Sequence, residues 1–215
     1  MADFTIILGN KNYSSWSLRG WLVLEASGAD YEEVVIPLDL PETKAAIRAH
    51  TPSGRVPALK HGDLTLWDSL AIAEYLAECF PEAGLWPEDT KQRALARAVT
   101  AEMHAGFADL RAHMPMDLRG RFPGHGHDAP GVAADILRIV EIWEVCRQSF
   151  GRGGDFLFGR FGIADAFFAP VVGRFVTYGV SLEGATAAYR DAVWTSPAMK
   201  TWRAAAEAEP WVIDQ

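Results

Sequence analysis

Apolar and polar positions change rhythm once along this chain, and that change divides it. Phe4 to Leu8 is a short apolar run closed by Gly9 and reads as a buried strand. Asn10 to Ser15 is polar and turn-prone. Leu18, Trp21, Leu22 and Ala26 then keep helical spacing behind a cap at Ser15 and stop at Ser27-Gly28. Tyr31 to Ile36, rich in β-branched residues, predicts a second strand before Pro37. Strand, helix and strand at this spacing form a βαβ unit, which requires parallel pairing and a right-handed crossover. A short helix is expected over Pro41 to Ala49. Val56 to Lys60 and Leu64 to Trp67 flank a hairpin turn at His61-Gly62-Asp63. Asp68-Ser69 opens a helix with Leu70, Ala73, Leu76, Ala77 and Phe80 on one face.

Residues 1–80 thus read βαβαββα, an α/β domain, and residues 81–87, broken by prolines and a glycine, read as a linker. Over residues 88–215 the strand rhythm vanishes and an all-α helical bundle domain is expected. Its helices are predicted from about Asp89 to Leu118, Val132 to Phe150, Ala164 to Tyr178, Thr186 to Trp194 and Pro197 to Glu207. Glycine- and proline-rich gaps, Gly120 to Gly131 and Gly151 to Gly154, separate the first three.

Composition narrows the function classes. The chain has 215 residues, 49% of them hydrophobic, and a formal net charge of −8. Both halves are acidic, which argues against a nucleic-acid partner, since phosphate binding needs clustered Lys and Arg. No run approaches the roughly 20 apolar residues of a membrane span, and Met1 to Phe4 lacks a signal-peptide pattern. Two cysteines, Cys79 and Cys146, sit in apolar stretches without a CxxC spacing, so buried free thiols and a cytoplasmic location are expected. His125-Gly126-His127 lacks a third ligand at readable spacing, so no metal is expected.

Three segments carry a family resemblance. Tyr13-Ser14-Ser15-Trp16-Ser17-Leu18-Arg19 resembles the Ser-Ser-Cys-Ser-Trp-Arg segment of zeta-class glutathione transferases. Thr51 to Leu59, followed by Asp68-Ser69-Leu70-Ala71-Ile72, and Gly159 to Asp165 are similar to two further segments of the same family. Taken with the element order, the chain resembles a serine-type cytosolic glutathione S-transferase. The resemblance implies a thioredoxin-like N-terminal domain, glutathione as co-substrate, a small hydrophobic electrophile, a role in detoxification and a homodimer.

That chemistry sets an energetic demand. A thiol of pKa about 8.5 is only a few per cent ionised at pH 7, and lowering it by about two units takes roughly 2.7 kcal/mol. A hydroxyl donating to the thiolate supplies about 1.5–3 kcal/mol, and a helix N-terminus adds about 0.3–1. Ser14 and Ser15 lie where the first strand gives way to the first helix, so both contributions meet there. The resemblance assigns the sulfur-facing hydroxyl to Ser14, with Ser15 as neighbour or cap; plain capping by both serines is the competing reading. Trp16 stands where zeta-class enzymes have cysteine, which weakens an isomerase reading.

By the same resemblance Val56-Pro57 is a cis peptide whose backbone pairs with the cysteinyl unit of glutathione. Asp68 and Ser69, at a helix start, take the γ-glutamyl end, Ser69 and free N–H groups for the carboxylate and Asp68 for the ammonium. Arg55 is the first choice for the glycyl carboxylate, with Lys44, Arg48 and His50 as alternatives. Met103, His104, Phe107 and Arg111 form a stripe at near-helical spacing that, with Trp16, is expected to line the second-substrate pocket, although such a stripe also suits bundle core. Asp165 should cap a helix without a return bond, because Gly162 has no side chain, and Gly162→Ser is expected to leave melting unchanged or slightly raised. The competing functions are a glutathione-dependent isomerase of the maleylacetoacetate type, a dehalogenase and a non-catalytic binding module.

Overall fold

A computed structural model of the chain describes residues 3–213. Strand β1 (Phe4–Leu8), helix α1 (Ser15–Ser27) and strand β2 (Tyr31–Val35) form the expected parallel unit, with Phe4 opposite Tyr31 and Leu8 opposite Val35. Helix α2 (Thr43–Arg48) is shorter than the expected span. Strands β3 (Ala58–His61) and β4 (Leu64–Leu66) make the hairpin, β3 antiparallel to β1, giving the sheet order β2-β1-β3-β4. Helix α3 (Ser69–Cys79) and a 3-10 turn at Pro81–Ala83 follow, and beyond them every described helix or strand is a helix.

Alternation along β1 decides what packs on each face of the sheet. Phe4, Ile6 and Leu8 join the main core with α1 and α3, whereas Ile7 meets Ile36, Ile47 and Ala58 on the α2 face. The main core continues without interruption through Trp21 and Leu22 into Phe167, Phe168 and Val171 of helix α7 (Ile163–Tyr178). The two halves therefore share one apolar interior rather than meeting across a wet interface. Helices α8 (Gly184–Thr195) and α9 (Pro197–Ala208) close the far side, and α6 (Val132–Phe150) runs as the spacing predicts.

Three expectations are corrected. The long helix expected from Asp89 to Leu118 is two, α4 (Thr90–Ala105) and α5 (Ala108–His113). Gly106 caps α4, and Phe107 takes a left-handed conformation with φ 61°. Arg111 then folds back so that its Nη2 donates to the terminal α4 carbonyls of Met103 and His104, satisfying acceptors that a continuous helix would have paired. Cys79 is exposed at the end of α3 rather than buried, while Cys146 is buried, and both are free. The helix cap at the Ser14-Ser15 pair is Ser14, not Ser15.

The α7 cap also behaves differently from its sequence. Asp165, fully buried, accepts from the Gly162 N–H at 2.9 Å and the Leu157 N–H at 3.0 Å. Burial nevertheless pushes its carboxyl up to about 6, against the pull of those two donors. Gly162 is there for room: a Cβ would stand 2.7 Å from the Leu85 carbonyl oxygen, in the linker backbone held by the Ile163 N–H. Since backbone gives way poorly, a side chain at 162 overpacks the junction, at about 1–3 kcal/mol. Gly162→Ser is therefore expected to lower the melting temperature, by about 2–4 °C for each kcal/mol, and differential scanning calorimetry of the pair reads it.

Candidate active site

Where α1 begins, Ser14 serves as its N-cap. Its Oγ accepts from the Ser17 N–H at 3.3 Å and donates to the Ser17 Oγ at 2.8 Å. Ser17 Oγ in turn accepts from the Gly9 N–H at 2.9 Å, so the end of β1 and the start of α1 are stitched through two hydroxyls. Both serines are buried, whereas Ser15 is half-buried. The hydroxyl expected to face sulfur is thus the one that caps α1, its proton is engaged with Ser17, and neither Ser14 nor Ser15 lines the neighbouring cleft.

Beside this helix start lies a cleft of about 570 Å³, within the usual range for small-molecule sites. Trp16, Arg55, Val56, Pro57, Asp68, Ser69 and His104 line it, together with Ser53 and Trp67. The Val56-Pro57 peptide is cis. Gly20 explains how Pro57 comes so close to α1: a Cβ there would stand 3.1 Å from the proline ring. At the opposite wall the Asp68 Oδ1 accepts from the Leu70 N–H at 2.8 Å and caps α3. Ser69, one residue on, is 1% exposed, and its hydroxyl has no partner among the described residues. A buried unpaired hydroxyl costs about 1–3 kcal/mol. Such a hydroxyl, with the free amides at a helix N-terminus on a cleft wall, is suited to an anion.

Of the expected second-substrate residues, the structure brings Trp16 and His104 to the cleft and leaves Met103, Phe107 and Arg111 off its wall. Met103 and Phe107 are buried in the core because the break at Phe107 ends the helical stripe. Arg111 approaches the site indirectly. Its guanidinium carbon lies 4.9 Å from the centre of the Trp16 ring and that of Arg19 lies 4.5 Å away, while the His104 ring meets Trp16 edge-on at 5.2 Å.

Arg19 is the residue that sequence reasoning passed over. It is 1% exposed, and among the described residues its Nε and Nη1 have no partner and neither Arg19, Arg111 nor Arg174 forms an ion pair. Burial holds the Arg19 guanidinium well below its ordinary value, with Arg111 and Arg174 pushing the same way. Arg174 is likewise pushed down to about 10 by burial and then by Arg111. Stacking on Trp16 offsets only about 0.5–2 kcal/mol of such a cost. The signal in the sequence was an arginine on the apolar face of an amphipathic helix, five residues after Ser14.

His104 Nε2 lies 3.3 Å from Asp68 Oδ2. Burial pushes the imidazole below its usual value, Asp68 pulls it up, and Arg19 and Arg111 push it down further. Among the described residues no three His, Cys, Asp or Glu side chains converge as a metal-holding group.

Comparison with known proteins matches this geometry to a family. Residues 13–79 match the glutathione S-transferase N-terminal domain. The chain is 41% identical over 181 residues to glutathione S-transferase 1 of Dianthus caryophyllus, an alignment covering 78% of this chain and 76% of that one. It is 30% identical over 178 residues to maleylacetoacetate isomerase of Pseudomonas aeruginosa, covering 79% and 81%. Other relatives align over less: the probable maleylacetoacetate isomerase of Caenorhabditis elegans is 33% identical over 96 residues, 45% of this chain and 44% of that protein. Among solved structures, a glutathione transferase homologue from Burkholderia with bound glutathione superposes with TM-score 0.68 at 26% identity, covering 96% of this chain and 99% of the other. The holo structure of a bacterial zeta-class maleyl pyruvate isomerase superposes at TM-score 0.72 and 25% identity, covering 96% and 98%. The chain belongs to the glutathione S-transferase family.

The electrostatics of His104 give a direct check. Asp68→Asn removes the one carboxylate raising it, so its titration midpoint should fall further; Arg111→Gln should move it up. The His104 Cε1–H resonance followed against pH reads both, and a midpoint unmoved in both variants would contradict the arrangement.

Proposed function

We propose that the protein is a glutathione transferase that holds the tripeptide in the Trp16–Ser69 cleft and stabilises its thiolate for attack on an electrophile. Glutathione is a co-substrate here, and the reading needs no metal. The observation that carries it is the buried, unpartnered Ser69 hydroxyl at the start of α3, in the same cleft as the Val56-Pro57 bend. Ser69 and the first α3 amides take the γ-glutamyl carboxylate, Asp68 faces its ammonium, and the Val56 backbone pairs with the cysteinyl unit. Arg55, exposed on the cleft rim, meets the glycyl carboxylate.

In this arrangement the sulfur comes to the mouth of α1. Ser14 turns its hydroxyl from Ser17 to the thiolate, supplying about 1.5–3 kcal/mol, and the helix N-terminus about 0.3–1 more. Residues 1–80 hold glutathione and residues 88–215 complete the second site, in a homodimeric, cytoplasmic protein concerned with detoxification. Ser14→Ala is expected to bind glutathione within a few-fold of the parent while conjugation of chlorodinitrobenzene falls at least about tenfold, near 1.4 kcal/mol of transition-state stabilisation. Undiminished turnover, measured beside calorimetric glutathione binding, removes Ser14 from this role.

A second reading, a glutathione-dependent isomerase acting on a carboxylate-bearing substrate, is favoured by the unpaired guanidiniums behind Trp16. Buried positive charge without a counter-charge is costly, and an anionic group on the second substrate offsets that cost. Relatives named maleylacetoacetate isomerase support this reading, while Trp16 in the cysteine position weighs against a covalent step. Both readings converge on substrate charge. The ratio of kcat/KM for a chloronitrobenzoate to that for its methyl ester is expected to favour the acid by about tenfold and to collapse in Arg111→Gln. Equal turnover of acid and ester by the parent protein removes the anionic substrate.

A further inference from the structure

The segment after α9 reaches back across the molecule to the turn from which Ser14 starts α1. Glu209 Oε1 accepts from the Lys11 N–H at 2.6 Å, and Oε2 accepts from the Asn12 N–H at 3.1 Å. Arg119 anchors that segment, donating from Nη1 to the Glu209 carbonyl at 2.8 Å and from Nη2 to the Trp211 carbonyl at 2.7 Å and the Tyr13 hydroxyl at 3.1 Å. Trp202 Nε1 donates to the Lys11 carbonyl at 2.8 Å, and Asn12 is held on both sides of its amide by Asp117 and the Arg119 N–H. Lys11 and Asn12 are buried. The turn closes on itself through the Tyr13 and Ser14 N–H groups, both of which donate to the Asn10 carbonyl.

We propose that Glu209 is a positioning residue for Ser14, its carboxylate fixing the Lys11-Asn12 backbone so that α1 begins with the Ser14 hydroxyl at the glutathione sulfur. The inference rests on the thiolate role of Ser14. Two charge-assisted bonds from consecutive amides to one carboxylate define both the place and the tilt of that peptide. Without the carboxylate, two buried amides lose their acceptor, and the turn relieves them by moving toward water. Ser14 is bonded directly to that turn, and displacement of a catalytic group by about 1 Å is enough to cost up to about a hundredfold in rate. Glu209 touches neither glutathione nor electrophile; it acts through residues 10–14.

The test uses the full chain saturated with glutathione, the thiol pKa being read from thiolate absorbance against pH, with amide exchange of residues 10–15 followed by mass spectrometry. Glu209→Ala is expected to raise the thiol pKa by at least about 0.5 unit and to speed exchange in that segment about tenfold, with Glu209→Gln, which keeps one acceptor, lying between. Gly162→Ser, destabilised at the junction of α7 with the linker, should leave the thiol pKa in place. A Glu209→Ala pKa within about 0.2 unit of the parent, or an equal shift in Gly162→Ser, overturns the proposal. Ser14→Ala separates the two ideas: if it raises the pKa and Glu209→Ala does not, positioning alone fails. If Ser14→Ala leaves the pKa unchanged, the thiolate role fails and takes the positioning with it.

Discussion

The backbone between β1 and α1 is buried, so each of its N–H and C=O groups has to find a partner in protein rather than in water. Local sequence supplies only part of what is needed: Ser17 takes the Gly9 N–H, and Asn10 accepts from the turn. The remainder comes from residues about a hundred or two hundred positions away: Glu209 takes the Lys11 and Asn12 N–H groups, while Trp202 and Leu118 donate to the Lys11 and Asn12 carbonyls. The start of α1 is thus determined by the helical half of the chain, even though it belongs to the sheet half. The same dependence appears in the core, where Trp21 and Leu22 of α1 share one apolar cluster with Phe167 and Phe168 of α7.

Around Trp16 the site combines two characters usually kept apart. One side of the cleft brings together the Val56-Pro57 backbone, the Ser69 hydroxyl and the charged Arg55 and Asp68. Behind the indole stand the Arg19 and Arg111 guanidiniums, which form no ion pair among the described residues and feel carboxylates only through Asp68 and Asp135, with His104 held between Asp68 and those cations. Trp16 separates the two regions with a polarisable face that tolerates cations on it. A cysteine in its place would leave the guanidiniums without that face.

How much of this the sequence disclosed follows from the range of the forces involved. The sheet half was legible because its periods are local: β1 begins and ends where Phe4 and Leu8 predict, and the hairpin follows from Gly62. Seven residues named from the sequence meet in one cleft because the motifs carrying them sit at element ends, where topology leaves little freedom. The break after Ala105 was hidden by a regular stripe through Met103, Phe107 and Arg111; Gly106 was the visible hint, yet the left-handed turn at Phe107 is set by tertiary packing. Space around Gly162 was equally invisible, since the obstructing atom is the carbonyl of Leu85 in the linker. Arg19 and Glu209 were missed for a common reason. The meaning of each depends on partners, absent in one case and distant in the other, that no window of sequence contains.

The contrast between the chain's net charge of −8 and the guanidiniums of Arg19 and Arg111 beside Trp16 bears on ligand approach. At long range the acidic surface repels any anionic ligand, and dissolved salt shortens that repulsion to about 8–10 Å at physiological ionic strength. An anion that comes against the Trp16 region meets positive charge shielded by low-dielectric protein, where salt has little reach. Added electrolyte therefore quickens arrival more than it hastens departure, the opposite of the usual experience with oppositely charged partners.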